Sequence, residues 1–172
     1  GVKMHTIGLK LEHKKLIRVM PNTPAQIRKG ISAWTASEDV DQLTLDFVRD
    51  MLRAIGDEIK FSDEKNIDIA TALSGSGPGY VFVFIEALTD AGVELGLPVQ
   101  TARDLASQTV LGSAALQRES GKHPAELRNM VTSPGGTTAA GLASLENGGF
   151  RGIIADAVRT AFERGEDLAG GK

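Results

Sequence analysis

One segment of the sequence, residues 80–97, is apolar around almost its whole circumference when it is drawn as a helix. It reads YVFVFIEALTDAGVELGL. Its acids Glu86, Asp90 and Glu94 recur every four residues and therefore share one narrow face. Such a helix needs other protein surface on most of its sides.

A second helical pattern follows at residues 99–119. It is rich in Ala, Ser, Gly and Leu and has no charged side chain between Asp104 and Arg118. A domain of about a hundred residues can hardly bury two such helices alone. We therefore expect association with further copies of the chain, as a homodimer or larger homo-oligomer, through residues 80–119.

Composition excludes several classes of protein. The 172 residues are 41% hydrophobic, enough for a buried core, and include no cysteine. We predict no metal site, because thiolates are lacking and the three histidines are scattered. No signal peptide or membrane span is predicted, and we expect a cytoplasmic protein without a nucleic-acid partner. Residues 1–30 hold seven Lys or Arg against Glu12, a basic end that suits either a dinucleotide phosphate or a solvated surface.

The chain has two parts with different sequence patterns. Residues 1–64 mix strands with a helix, whereas residues 65–172 have helical periodicity almost throughout. The predicted elements of the first part are strands at 16–20, 30–36 and 58–61 and a helix that Ser37 opens and Gly56 closes. The apolar stripe of that helix is predicted to hold Leu43, Phe47, Val48, Met51, Leu52 and Ile55. The predicted helices of the second part are 80–97, 99–119, one beginning at Pro124, and two over TAAGLASLENGG and FRGIIADAVRTAFERGEDL.

Three glycine- or proline-rich loops are candidates for function. MPNTP, residues 20–24, follows a strand, where ligands bind in open α/β sheets, but it also suits a rigid turn with an Asx cap. SGSGPGY, residues 74–80, leads into the apolar helix and fits either a hinge or a ligand-binding helix N-terminus. VTSPGGTT, residues 131–138, combines exposed backbone donors with four hydroxyls, which suits a small carboxylate; a helix cap would use one hydroxyl.

These motifs carry a resemblance to a known family. MPNTP, ALSGSGPGYVFVFIEALTDAGVELGLP and HPAELRNMVTSPGGTTAAGLASLE occur in this order, and together they resemble pyrroline-5-carboxylate reductase over nearly the whole chain. The resemblance implies reduction of 1-pyrroline-5-carboxylate to L-proline with NADPH or NADH, the last step of proline biosynthesis. It also implies an α/β remnant of a Rossmann domain followed by an all-α dimerisation domain, similar to the helical domain of 6-phosphogluconate dehydrogenase.

The resemblance also implies site residues. Thr138 matches the family's threonine proposed to hydrogen-bond the imine nitrogen, so it is the candidate catalytic residue. The loop matching residues 131–138 holds the substrate carboxylate in the family. The candidate substrate-binding residues are Val131, Ser133, Gly135, Gly136, Thr137 and Thr138. The candidate cofactor-binding residues are Pro21, Asn22, Ser76 and Pro78.

Some features depart from the family pattern. Met130 stands where a polar or acidic residue is usual, and Gly79 stands where alanine is usual. The G-x-G-x-x-G fingerprint of a complete Rossmann domain is missing from these residues. We therefore expect this chain to be the carboxyl-terminal part of a reductase, inactive with NADPH on its own.

The sequence also leaves two other interpretations open. A β-hydroxyacid dehydrogenase would show G-x-G-x-x-x-K-x-x-N, but counting from Gly75 places Val81 at the lysine position and Phe84 at the asparagine position. The second alternative is a non-catalytic helical dimerisation module. A G-x-G-x-x-G directly upstream of Gly1 in the reading frame would favour the enzyme.

Overall fold

The first part of the chain forms one small mixed sheet. The computed structural model describes residues 2–170. The strand order is β1–β2–β3; β1 runs antiparallel to β2, and β2 runs parallel to β3. The strands are β1 (Ile17–Met20), β2 (Gly30–Ala36) and β3 (Gly56–Lys60). The centre of the sheet is β2, and this agrees with its β-branched and aromatic content and its burial on both faces.

Helices make up most of the rest. The first four described helices are α1 (Met4–Leu11), a 3₁₀ helix (Thr23–Ile27), α2 (Gln42–Arg53) and α3 (Lys65–Ala70), the last continuing into a π-helical turn (Thr71–Gly75). The others are α4 (Gly77–Glu94), α5 (Val99–Ser120), α6 (Pro124–Met130), α7 (Thr137–Asn147) and α8 (Phe150–Ala169). The predicted fold class, an α/β portion followed by a helical one, is confirmed.

The core of the sheet region centres on Trp34, which is fully buried. Its indole N–H donates to Glu58 Oε2 at 2.7 Å, so its polar atom is satisfied inside the core. Val40, Leu45 and Leu52 complete the buried cluster. This core joins α2 to the sheet and fixes the strand ends that carry the first candidate loop.

The predicted start, end and apolar stripe of α2 were partly wrong. Ser37 does not open the helix, because its hydroxyl accepts from Leu16 N–H and donates to the Lys14 carbonyl, which ties it to the segment before β1. Asp41 caps the helix instead, accepting the Thr44 N–H at 2.9 Å. Gly56 does not close α2, which ends at Arg53; Gly56 begins β3.

On the stripe itself, Val48 and Leu52 pack inward as predicted. Leu43, Phe47 and Met51 lie on the outer face, and Leu43 is 82% exposed. The inward face is completed by Leu45, which the sequence prediction left out. The pattern of two adjacent apolar stripes made the choice of face ambiguous from the sequence.

Helix α1 was not predicted. It has no acid in its first turn and no side-chain cap, so the sequence signals of a helix start are missing. Its first amide, Met4 N–H, donates instead to Glu64 Oε1 at 2.7 Å. A tertiary hydrogen bond therefore replaces the local cap.

Two compact units can be distinguished, Gly1–Gly79 with Ala155–Lys172, and Tyr80–Ile154. The first holds the sheet, α1, α2, α3 and most of α8, and the second holds most of α4 together with α5, α6 and α7. The division at residues 64 and 65 drawn from the sequence stays a prediction about domain organisation.

Residues 2–170 contain neither a candidate membrane span nor a candidate metal cluster. None of the described helices is long and apolar enough to cross a membrane. Over the same residues, no group of three or more His, Cys, Asp or Glu side chains is arranged to hold a metal ion.

Candidate functional site

The MPNTP segment begins where β1 ends. Asn22 Oδ1 accepts the Ile31 N–H at 2.9 Å, so this amide holds the segment against the start of β2. Pro24 occupies the first turn of the 3₁₀ helix, where its missing N–H costs nothing. Pro21 is exposed and Asn22 is half-buried. The segment is therefore rigid, and part of the Asn22 side chain already has a structural partner.

The SGSGPGY segment follows the π-helical turn and enters α4. Ser76 N–H donates to the Thr71 carbonyl at 2.8 Å, and Gly79 N–H donates to the Ser76 carbonyl at 2.9 Å. These bonds place Ser76 and Pro78 at the very start of α4, where both are half-buried. Backbone amides at such a helix start are suited to polar or anionic ligand groups.

These two segments are neighbours in the first compact unit. A Cβ built on Gly75 would lie 2.5 Å from Met20 Cε, so only glycine allows this approach without a shift of the methionine. The four candidate cofactor residues therefore stand on two backbone segments that touch each other. They line the carboxyl end of β1, the position at which α/β sheets bind ligands.

The VTSPGGTT segment lies in the second compact unit, between α6 and α7. Gly135 has φ +70°, the left-handed region that favours glycine. Gly136 occupies the N-cap position of α7, and a Cβ there would overlap the Ser133 hydroxyl. Because glycine has no side chain, α7 has no side-chain cap, and its first amides are left available to a ligand.

One of the four hydroxyls is already used. Thr132 Oγ1 donates to the Arg128 carbonyl at 2.6 Å and so closes the end of α6. Among residues 2–170, the hydroxyls of Ser133, Thr137 and Thr138 make no hydrogen bond to protein. The first amides of α7 lie beside these hydroxyls. The first N–H of this helix that donates to a backbone carbonyl is that of Ala140, three residues after Thr137, and it donates to the Gly136 carbonyl. The loop can therefore offer hydroxyls and amides to a small anion.

A charged cluster beside the first two segments was missed by the sequence analysis. Arg18 on β1 pairs with Glu64 and Asp68 at α3, each at 2.8 Å. The spacing of the two acids, four residues apart before a helical stretch, was the available signal. The partner on a strand 46 residues earlier could not be identified from spacing.

Comparison with known proteins connects these segments to one family. Residues 64–168 match the family model described as pyrroline-5-carboxylate reductase dimerisation. Pyrroline-5-carboxylate reductase of Pisum sativum is 44% identical over 169 residues, which cover 98% of this chain and 62% of the relative. The Synechocystis sp. protein of the same name is 45% identical, with 98% and 62% covered.

Solved structures similar to this chain belong to the same family. The pyrroline-5-carboxylate reductase of Coxiella burnetii superposes with a TM-score of 0.93 at 39% identity, covering 98% of this chain and 63% of that one. The Plasmodium falciparum pyrroline carboxylate reductase, solved with NADP bound, superposes with a TM-score of 0.91 at 34% identity, covering 98% and 68%. The chain spans about three fifths of the length of the curated relatives named here. On the agreement of sequence, family model and structure, the chain belongs to the pyrroline-5-carboxylate reductase family.

Proposed function

We propose that this chain is the substrate-binding and dimerisation portion of an enzyme that reduces 1-pyrroline-5-carboxylate to L-proline, the last step of proline biosynthesis. The single observation that carries the proposal is the VTSPGGTT loop, in which three hydroxyls and the first amides of α7 stand close together in the chain and make no hydrogen bond to the protein among residues 2–170. An anionic ring of this size needs donors of this kind.

In this proposal the loop holds the substrate by its carboxylate. The Thr137 amide and the Ser133 hydroxyl donate to the carboxylate. The Gly136 amide already donates to the Ser133 carbonyl at 3.0 Å, so Gly136 shapes the loop together with Val131 and Gly135. Thr138 Oγ–H donates to the imine nitrogen, so the ring is oriented and the nitrogen is polarised as the adjacent carbon accepts hydride. This is a positioning role, not a nucleophilic one, and the hydroxyl can relay a proton to the nitrogen while it regains one from water.

A nicotinamide cofactor, NADPH or NADH, supplies the hydride when it is bound. At the start of α4 a Cβ built on Gly77 would meet open space, which suits a planar ring approaching the backbone. We propose that Pro21, Asn22, Ser76 and Pro78 line that ring. The NADP-bound Plasmodium relative supports a cofactor of this class. A cytoplasmic location stays a prediction of the sequence.

We also propose that the chain forms a homodimer or larger homo-oligomer through α4 and α5. Large apolar side chains on both helices are exposed, among them Phe82, Val83, Leu105 and Leu111. The family model that matches these residues is itself described as a dimerisation model. This surface also favours the second candidate function, a non-catalytic dimerisation module formed by the 172 residues alone.

The test is isothermal titration of the chain with L-proline, the product that keeps the carboxylate. We expect binding by the native chain and a loss of roughly tenfold or more in affinity for Thr138→Ala, which lacks one ring contact. Gly136→Val, whose side chain would overlap Ser133, is expected to abolish binding.

The matched control is Thr132→Ala. Its hydroxyl is in the same loop but is already donated to Arg128, so the variant is expected to bind proline like the native chain. If all three variants, including Thr132→Ala, lost proline binding alike, the result would favour the dimerisation module. The same conclusion would follow if the folded native chain bound no proline.

A further inference from the structure

Arg18 connects β1 to α3 through two ion pairs. Its Nη1 contacts Glu64 Oε1 and its Nη2 contacts Asp68 Oδ1, each at 2.8 Å. The side chains of Arg18 and Asp68 are about nine-tenths buried, at 10% and 11% exposed. Glu64 and Asp68 are four residues apart and so lie on one face of α3. A planar guanidinium can bridge two such oxygens, whereas a single ammonium cannot do so with the same geometry.

The charge on Asp68 is maintained at neutral pH. Burial by itself raises the pKa of this carboxyl, but hydrogen bonds from Lys3 and Arg18 outweigh burial and leave the pKa below its ordinary value. Lys3 makes its own ion pair with Asp68. Because the carboxylate stays ionised, the link between β1 and α3 is present over the physiological pH range.

Helix α3 leads directly into the π-helical turn. The wider turn is closed by Ser76 N–H on the Thr71 carbonyl, a bond that spans five residues. The Thr71 hydroxyl donates to the Ile67 carbonyl at 2.7 Å, and the Ser74 hydroxyl donates to the Ala70 carbonyl at 2.9 Å. Single π turns of this kind are rare and frequently stand at functional sites. Any movement of α3 is therefore passed to Ser76.

Strand β1 makes a second contact with the segment formed by α3 and the π turn. Residues two apart on a strand point to the same face, so Arg18 and Met20 extend from β1 on one side. Arg18 contacts the α3 end, and Met20 contacts Gly75 at the π turn. The two contacts together fix the distance between the MPNTP and SGSGPGY segments.

Packing leaves a gap beside the ion pairs and the π turn. A cavity of about 280 Å³ adjoins Arg18, Asp68, Thr71 and Ser76, and residues of α8 including Ala161 form its far wall. Since the turn is not closely packed there, the ion pairs and the Met20 contact carry more of the restraint.

We propose that Arg18 is a positioning residue for the cofactor site, which holds the α3–π turn against β1 and so sets the space between Asn22 and Ser76. The inference rests on the proposed function, because it concerns the segments assigned there to the nicotinamide ring. Arg18 itself does not contact the ring in this proposal; it acts through Asp68 and the turn.

The first test needs no activity. Amide hydrogen exchange is measured on the 172-residue chain with Arg18→Met, in which the ion pairs are lost but the aliphatic length is kept. We expect the Ser76 and Gly79 amides to exchange about tenfold faster or more, since at least one charge-assisted link is lost. Arg18→Lys, which keeps the charge but not the two-pronged contact, is expected to give a smaller increase and serves if Arg18→Met does not fold.

Arg49→Lys and Arg49→Met are the matched controls. Arg49 is an ion-paired arginine of the same compact unit, with Asp46 at 2.7 Å and Glu58 at 3.7 Å, and it is placed on α2 away from the turn. We expect its variants to leave Ser76 exchange unchanged. Unchanged exchange in a folded Arg18 variant, or an equal increase in the Arg49 variants, would overturn the positioning role.

The second test uses a full-length reductase polypeptide that carries this chain. Arg18→Lys is expected to raise KM for the nicotinamide cofactor about tenfold, the effect of one charge-assisted hydrogen bond, with kcat and the KM for 1-pyrroline-5-carboxylate changed far less. Arg49→Lys is expected to change none of these. No imine reduction by the native full-length protein would contradict the proposed function and leave the exchange result standing. A cofactor KM in Arg18→Lys equal to that in Arg49→Lys, in an active enzyme, would contradict the positioning role alone.

Discussion

Glycines at three positions of the candidate segments serve two physical purposes, close approach of a neighbouring side chain and a left-handed backbone. Gly75 allows close approach of Met20, Gly136 allows close approach of Ser133, and Gly135 adopts a left-handed backbone. A side chain at Gly75 would displace the end of the Met20 side chain, one at Gly136 would displace the Ser133 hydroxyl, and one at Gly135 would strain the backbone. Gly79 is different, because its φ is not positive and its position has open space. It therefore has no structural requirement for glycine within the described residues.

Gly79→Ala is expected to stabilise the chain. The change adds a better helix former in the first turn of α4, and we expect the free energy of unfolding to rise by about 0.5 kcal/mol. Urea denaturation followed by circular dichroism measures the difference. Gly136→Ala is the contrasting variant and is expected to be destabilising, since its Cβ would overlap the Ser133 hydroxyl. A lower midpoint for Gly79→Ala than for the native chain would refute this account.

At the scale of the element, α2 shows how a cap and a core decide a helix together. Asp41 accepts from both the N–H and the hydroxyl of Thr44, which fixes the first turn. The inward face then packs Leu45, Val48 and Leu52 against the Trp34 core. The cap sets where the helix begins, and the core sets which apolar stripe is buried.

The cap also predicts a pH dependence. Hydrogen bonds from the Thr44 N–H and hydroxyl lower the pKa of Asp41 to about 2 from 3.8. Because the pKa is lower in the folded chain, the stabilisation by the cap is complete above about pH 4 and is lost as the pH falls through about 2. Asp41→Asn keeps a capping oxygen without this titration.

Thermal unfolding between pH 7 and pH 2 measures this effect. The Tm of the native chain is expected to fall relative to that of Asp41→Asn as the pH drops from 4 to 2, while Asp41→Ala should be lower by roughly 2–4 °C at pH 7. A constant difference in Tm between the native chain and Asp41→Asn over this range would show that the cap does not titrate as described.

At the scale of the whole molecule, one chain leaves its helical part largely unburied. Among the described residues of α4–α8, the buried side chains are Thr89, Ala102 and Ala106. Exposed apolar area of this extent is typical of subunit interfaces. The expectation drawn from the sequence, that residues 80–119 need a further copy, has this physical basis.

We therefore expect association that depends on α4 and α5. Phe82→Glu places a charge on α4 and Leu111→Glu places one on α5, and each should shift the chain toward monomer in sedimentation equilibrium. The Tm of the native chain is expected to rise with protein concentration, and both variants should lower it. Leu9→Glu on α1 is the control, because Leu9 is similarly exposed at 67% but lies outside the matched region 64–168. An equal effect of all three changes would show that the interface is not formed by α4 and α5. A monomeric native chain would contradict the predicted association.

Much of the fold could be predicted from local patterns. GISAWTA became β2, Pro124 begins α6, and the two apolar helices lie within about three residues of their predicted starts. Elements whose ends depend on distant partners could not be predicted in the same way. Helix α1 is fixed by Glu64, and Ser37 is drawn away from α2 by Leu16 and Lys14.

The candidate site likewise has some features that follow from local sequence and others that follow from tertiary contacts. The sequence by itself determined the family, the glycine loops and the hydroxyls of residues 131–138, because these depend on residue type and local spacing. Only the tertiary structure decided that Met20 meets Gly75, that Gly136 occupies the N-cap position of α7 and leaves it without a side-chain cap, and that Arg18 joins Asp68. Those contacts connect residues far apart in the chain or depend on backbone geometry, and local sequence patterns contain no record of either.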